Sequence, residues 1–407
     1  MIINNLEELI RPYLNNHGKH LISYEANYFL PPGENYGSVM LSVDVKVKNQ
    51  KNQKEEIIHC VAKMLPPCEA LRDYFNTSTT FKKEITHYNS VITTLTEFGK
   101  TIGVNNLVDF CAECLGSRIS LNPKSNVVDE DAVFVLKNLK VDGYTVGDRF
   151  TGFDLETSKL VLRNMAKMHA AFLALKFKNP EEFKTKVLPN LGEAMVYVAP
   201  DDILDRMAKT IQKYAGRHPD CVPFLDRIGE GTRKMKDVFI YSKNKEPFAT
   251  LVHTDLWVNN ILLKYQDGKP VHNVFIDFPL CVYGNPARDV LFFIYSSTNF
   301  DVLTTSVDEL IKIYYDELID YLKKLKCDTS QLTYKLFLEE VDVAARDTEF
   351  CHCIFMLTPI YTAKGGIQDM SEWTTEFLVA DNEENLHPNF HKKLHLTCID
   401  FARRNWI

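Results

Sequence analysis

The stretch from Leu251 to Phe278 constrains this chain more than any other. It runs Leu251-Val252-His253-Thr254-Asp255-Leu256-Trp257-Val258-Asn259-Asn260, then an apolar run beginning Ile261-Leu262-Leu263. Asp267-Gly268 follows, and a second apolar run ends in Phe275-Ile276-Asp277-Phe278. An Asp-Gly pair between two apolar runs is a strong hairpin signal, because glycine accepts the positive φ that a tight turn requires. Folding the strands about this turn places Asn260 nearly opposite Asp277, within a couple of residues of register. Asp255 then lies on the loop just before the hairpin. A carboxylate, a carboxamide and a second carboxylate are thus expected at one end of a single supersecondary unit.

Those three groups are the set that Mg-dependent phosphoryl transfer needs. One carboxylate orients and deprotonates the attacking hydroxyl, and a carboxamide oxygen with a second carboxylate holds the Mg²⁺ that neutralises a triphosphate. The H-x-D-x-x-x-x-N spacing followed by Asp-Phe after a hairpin matches the catalytic loop and metal loop of kinases. Each piece alone is weak, and ordinary cap or turn roles for Asp255, Asn260 and Asp277 are the alternative. The ordered set is specific.

The first third of the chain is β-rich. Val39, Leu41, Val43, Val45 and Val47 alternate with Met40, Ser42, Asp44, Lys46 and Lys48, the period-2 pattern of a half-buried strand. A polar turn leads to a second strand over 57–65, which Pro66-Pro67 ends, since proline cannot continue a ladder. Lys63 sits inside that apolar strand, where a cation is costly to bury without an anion. A nucleotide phosphate is one candidate partner, and Glu84 on a predicted helix over 79–98 is another. A lysine that snorkels at a strand edge is the alternative. That helix would carry Phe81, Ile85, Tyr88 and Ile92 on one face. Gly33-Glu34-Asn35-Tyr36-Gly37-Ser38, directly before the alternating strand, reads equally as a phosphate-covering turn or as a plain loop. In the first case its amides and Ser38 face the phosphates. Ala132–Leu136 reads as a buried strand. From about residue 144 the pattern turns helical, with Asp154 as N-cap of a long helix through Leu175.

Composition narrows the class. At 407 residues, a prior of about 150 per domain suggests two or three domains or lobes. The content of 45% apolar and 25% charged residues is that of a folded globular protein. A net charge of -7 gives no support to non-specific nucleic-acid binding. The longest notable apolar run, Val290–Tyr295, is far short of the roughly 20 residues of a membrane span. Acidic residues stand near the N-terminus where a signal peptide would be basic and apolar. A cytoplasmic protein with mostly reduced thiols is the expectation. Cys111-Ala112-Glu113-Cys114 and Cys351-His352-Cys353 lack the four convergent ligands that a metal site normally needs.

The chain resembles the ecdysteroid kinase-like family, a branch related to aminoglycoside and choline phosphotransferases. The matching pieces are Gly33–Ser38, Ala62-Lys63-Met64-Leu65-Pro66, Phe81-Lys82-Lys83-Glu84-Ile85-Thr86-His87-Tyr88 and Val135–Leu139 leading to Gly143-Tyr144. Further on come Leu162–Ala170, His253–Leu262, Ile276-Asp277-Phe278 and Gly284-Asn285-Pro286-Ala287-Arg288-Asp289. The resemblance implies an α+β, bilobal, protein-kinase-like fold with a β-rich N-lobe (1–137), a hinge (138–143) and a helical C-lobe (144–407). It also implies ATP- and Mg²⁺-dependent phosphorylation of a hydroxyl on a steroid-like or xenobiotic alcohol. Residue by residue, Asp255 would be the catalytic base and Asn260 and Asp277 the Mg²⁺ ligands. Lys63 would hold the ATP phosphates, and Glu84 would hold Lys63. His253 would brace the catalytic loop from behind and Asp289 would tie it down. Backbone groups near Asn138 and Leu139 would read adenine.

Trp257, two residues after the base, would either line the acceptor pocket or belong to the core. Eleven residues separate Asp277 from Asp289 with no Ala-Pro-Glu following, which leaves no room for a peptide-docking activation segment. The chain departs from the family at two points. Thr254 stands where Gly is usual, and a β-branched residue does not easily take positive φ. Pro279 stands where Gln is common, which removes a backbone donor. A pseudokinase is the alternative that these departures raise; a choline- or aminoglycoside-type acceptor is another.

Overall fold

The computed structural model describes residues 2–29, 38–66, 69–74, 76–192, 200–234, 246–362 and 383–407. It divides into two compact units. The first comprises Met1–Thr145 with Ile276–Pro279, and the second comprises Val146–Phe275 and most of the chain from Leu280 to the end. The short run Ile276–Pro279 therefore packs with the N-terminal unit although the sequence places it well inside the C-terminal part.

The first unit is built on an antiparallel five-stranded sheet of order β1-β2-β3-β5-β4. Its strands are β1 (Lys19–Tyr28), β2 (Val39–Asn49), β3 (Glu55–Met64), β4 (Cys114–Arg118) and β5 (Val133–Lys137). The alternation in β2 does what its period requires: Leu41, Val43, Val45 and Val47 are fully buried. They pack with Cys60, Ala62, Val133 and Val135 and with Ile3, Leu6, Ile10 and Leu14, the last three from the helix Leu6–Asn16. Each such valine contributes roughly 1.5–3 kcal/mol. Neither β1 nor this helix stands out in the sequence, because β1 is mostly exposed and polar along its length.

The opposite sheet face carries Lys63, whose neighbours across the ladder are Met40 and Phe134. Phe81 and Tyr88 pack their rings against Phe134. Phe81 comes from the helix Thr77–Thr86 and Tyr88 from the π-helical turn His87–Ile92 that continues it into a second α-helix, Thr93–Thr101. The uninterrupted helix expected over 79–98 is therefore broken in period. Phe81, Ile85 and Tyr88 are buried as expected, but within the π turn Val91 takes the buried place and Ile92 is half-buried. Such insertions concentrate at functional sites.

The short strand β6 (Tyr144–Val146) leads into the second unit, which is mostly helical. Asp154 caps the helix Leu155–Lys178 by accepting from the Thr157 amide at 2.8 Å. This helix lies against Val307–Lys324 and the hairpin of β8 (Ile261–Gln266) and β9 (Lys269–Phe275). Asp267 and Gly268 both have positive φ, 51° and 73°, so the turn is the one the Asp-Gly pair foretells. A second pair joins β7 (Thr250–Val252) to β10 (Val282–Gly284). The helix Ala287–Ser297 is buried along its whole length. The fold class is that expected: a five-stranded antiparallel sheet in the N-terminal unit and a largely helical C-terminal unit. No helix among the described residues is long and apolar enough to cross a membrane. The nine described cysteines are free thiols.

Candidate active site

In the first unit, Lys63 Nζ lies 2.7 Å from both Glu84 Oε2 and Asp277 Oδ1. Strand β3 sets the lysine on the face away from the valine core, and the helix Thr77–Thr86 brings Glu84 over it. The segment Ile276–Pro279 supplies Asp277, whose φ of 69° is left-handed. Phe278 anchors that segment: it is fully buried and stacks on His87 at 4.2 Å between ring centroids. Side-chain exposure is 16% for Lys63, 3% for Glu84 and 38% for Asp277, so the open end of the cluster is the Asp277 end.

Two carboxylates face one ammonium, and the titration follows from that. Burial alone would lower the Lys63 pKa; the charges of Asp277 and then Glu84 outweigh it and raise it above the usual value. Burial pushes the Glu84 carboxyl up, Lys63 opposes this, and the Asp277 charge adds to the rise, to about 7. The sequence named Glu84 and a phosphate as partners for Lys63; the bond to Asp277 it did not name.

The second unit holds the other candidates. β7 ends at Val252, and His253, Thr254 and Asp255 follow on the loop. Asp289, in the first turn of the helix Ala287–Ser297, is fully buried. Its Oδ2 accepts from the His253 amide at 2.7 Å and its Oδ1 from the Thr254 amide at 2.8 Å. His169 Nε2 lies 3.1 Å from Oδ2, and His169 Nδ1 is 2.6 Å from the Tyr314 hydroxyl. A carboxylate can only accept, so Nε2 carries the donated hydrogen. Burial alone would raise the Asp289 pKa; the bond and charge of His169, with His253, outweigh it and leave the carboxyl below its usual value.

Next along the loop, the Asp255 amide donates to His253 Nδ1 at 3.3 Å. Asn260 Nδ2 donates to both the backbone oxygen and Oδ2 of Asp255, each at 2.8 Å. The carboxamide oxygen of Asn260, the atom a hard cation would take, is not the end used in this pair. Trp257 is half-buried and precedes the 3₁₀ turn Val258–Asn260.

Asn138 is buried. Its side chain caps the 3₁₀ turn Leu139–Asp142 by accepting from the Lys140 amide, and its own amide donates to the His59 carbonyl at 2.9 Å. Leu139 opens that turn, which Gly143 closes at φ 86°. Ser38 is buried just before β2, while Gly33–Gly37 lie outside the described residues.

The sequence profile of the ecdysteroid kinase-like family matches residues 32–327, well over half of the chain. The chain belongs to the ecdysteroid kinase-like family. It is thus a small-molecule kinase, a phosphotransferase with an alcohol group as acceptor. No curated protein matches it. Among solved structures, this kinase is similar to an ethanolamine kinase of Plasmodium vivax at 13% identity and TM-score 0.42, covering 98% of this chain and 86% of that one. A choline kinase from Cryptosporidium parvum gives 11% identity and TM-score 0.42, over 94% and 91%. The GDP complex of an aminoglycoside 2'-phosphotransferase gives 12% and 0.41, over 99% and 100%.

Three features of this family member escape the sequence. His169 sits on an apolar helical stripe with Leu162, Met165, Ala166 and Phe172, and such a position reads as core until Asp289 and Tyr314 are seen on either side of it. His87 entered only within the family-like run Phe81–Tyr88, with no role attached to it. Thr254 signalled only a problem, since its φ is indeed positive, at 67°.

Proposed function

We propose that this kinase transfers the γ-phosphoryl group of ATP to a hydroxyl of a steroid-like or xenobiotic alcohol, with Mg²⁺ as cofactor. The observation that carries the proposal is the Lys63 ammonium at 2.7 Å from both Glu84 and Asp277. Two carboxylates on one ammonium leave net negative charge, the condition under which a divalent cation is welcome.

The oxygens available suit Mg²⁺, which prefers carboxylate and carbonyl donors and keeps several waters. Asp277 would contribute a carboxylate oxygen and Asn260 its carboxamide oxygen; when bound, the ion neutralises phosphate charge. Lys63 would then turn from Asp277 toward the nucleotide phosphates while Glu84 keeps hold of it. Asp255 accepts the proton of the acceptor hydroxyl as that oxygen bonds to the γ-phosphorus and ADP leaves. The Asn260 donor fixes the Asp255 carboxylate, and Asp289 fixes the backbone on which Asp255 stands. Asn138 already commits its amide to His59, so a purine would be read from Leu139 onward. Trp257, half-buried beside the base, would contact the acceptor.

The test is consumption of Mg-ATP over a panel of steroid alcohols, amino alcohols and phenols, with product mass showing a phosphate ester. Steroid alcohols should give the largest response, and Asp255→Ala should abolish it. Equal behaviour of parent and Asp255→Ala across the panel would refute the proposal. A response confined to amino alcohols would replace its acceptor class.

A further inference from the structure

Thr254 occupies the position between His253 and Asp255 and has φ 67°, a left-handed backbone. Among the described residues it is the only β-branched side chain in that region, where branching at Cβ is most disfavoured. It is 3% exposed, so solvent does not relax it. Such strain persists only where surrounding contacts over-determine it.

Two contacts do so here. The Thr254 amide donates to Asp289 Oδ1 at 2.8 Å, and its hydroxyl donates to the Leu280 carbonyl at 2.9 Å. The second bond has a structural logic. β7 and β10 pair antiparallel, with Val252 opposite Val282 and Leu251 opposite Tyr283. Continued by two residues, the same register sets Thr254 opposite Leu280. The backbone cannot extend the ladder there, because the left-handed turn points the Thr254 amide at Asp289. The side-chain hydroxyl reaches the Leu280 carbonyl in its place. Leu280 in turn follows Asp277-Phe278-Pro279 directly.

We infer that Thr254 is a positioning residue for phosphoryl transfer: its hydroxyl replaces a missing ladder bond between the loop that carries Asp255 and the chain just after Asp277. A glycine at this position would adopt the turn freely but could not make that bond. The substitution of Thr for Gly thus exchanges backbone ease for a fixed loop, and it does not mark a disabled kinase. The activity arm of the test below rests on the kinase proposal; the backbone arm does not.

The experiment compares the full chain with Thr254→Val, Thr254→Ser and Thr254→Gly. The first readout is backbone amide hydrogen exchange over 252–260, which reports local opening. Thr254→Val keeps the shape and removes the donor, so exchange should quicken about 10-fold or more, while Thr254→Ser stays within about 3-fold of the parent. Thr254→Gly removes strain and donor together. It should exchange as fast as Thr254→Val while melting no lower than the parent, which separates the bond from the strain and guards against a Val variant that fails to fold.

The second readout is Mg-ATP consumption. Its maximal rate should fall about 10-fold in Thr254→Val with little change in the Mg-ATP KM, and Thr254→Ser should restore most of it. Parent-like exchange in both Thr254→Val and Thr254→Gly would overturn the inference. So would equal loss of rate in Thr254→Val and Thr254→Ser. A parent that consumes no Mg-ATP would count against the kinase proposal instead, with the exchange result still deciding the bond.

Discussion

Lys63 with Glu84 and Asp277 in the first unit, and Asp289 with His169, His253 and Thr254 in the second, are both partly or wholly buried charge clusters, yet they are built oppositely. Around Asp289 the carboxylate is met by two backbone amides and a histidine, and its pKa falls below the usual value although burial works against it. Around Lys63 two carboxylates compete for one ammonium, and Glu84 rises to about 7. The first arrangement is complete as it stands. The second sets two carboxylates on one ammonium, and its least buried member, Asp277, is the one that the proposed function assigns to a cation. Fixed charge with full donors is how a fold holds a loop; an excess of like charge at an open edge is how it prepares for a ligand.

Substitutions at the two aspartates should separate the clusters most widely. Asp289→Ala strands His169 and two amides in a dry interior and should cost about 3–5 kcal/mol in denaturant unfolding. Asp277→Ala removes one of two competing carboxylates and should shift stability by less than about 1 kcal/mol, while abolishing transfer. Comparable losses of stability in the two variants would break the distinction.

Asp255→Asn should lower the rate of phosphate-ester formation about 10²–10⁴-fold, the range for loss of a positioned base. It should leave the unfolding midpoint near that of the parent, because Asn260 can still donate to the new carboxamide oxygen. A rate within about 3-fold of the parent would remove Asp255 from the role of base.

The pH dependence of stability sharpens the contrast, because the two clusters have opposite signs. Asp289 has a folded pKa below its unfolded one. Its contribution is present above the usual carboxylate value and lost as pH falls through the folded value. Glu84 has a folded pKa raised to about 7. Folding therefore takes up its proton between the unfolded value and about 7, and its contribution wanes as pH rises across that window. Relative to Glu84→Gln, the parent should lose stability over this window, by a few kcal/mol at most. Parallel curves for the two proteins would place Glu84 ionised throughout.

Much of this was legible in the sequence where local pattern decides structure. The alternation in β2 and the Asp-Gly turn at 267–268 act over a few residues, and both fold as their chemistry dictates. The pairing of Lys63 with Glu84 was legible because a buried cation needs an anion and a helix follows at the right distance. Contacts between residues far apart in the chain were not. His169 and Tyr314 are 145 residues apart, and although the histidine lies in a family-like run, nothing local says what it would bond. The π turn after Glu84 escaped because a helical period seen in sequence assumes 3.6 residues per turn throughout. Thr254 was noticed as an anomaly, but its compensation required knowing that β10 runs back beside β7.

The most direct test of the central claim is the thermal unfolding midpoint of the parent and of Asp277→Asn with ATP alone, Mg²⁺ alone and both together. A ligand that binds only the folded state stabilises it by about 2.7 kcal/mol at 100 times its Kd. The parent should show a clear rise with Mg-ATP that exceeds either component alone, and Asp277→Asn should lose the Mg²⁺-dependent part. No rise in the parent, or the same Mg²⁺-dependent rise in both proteins, would contradict it.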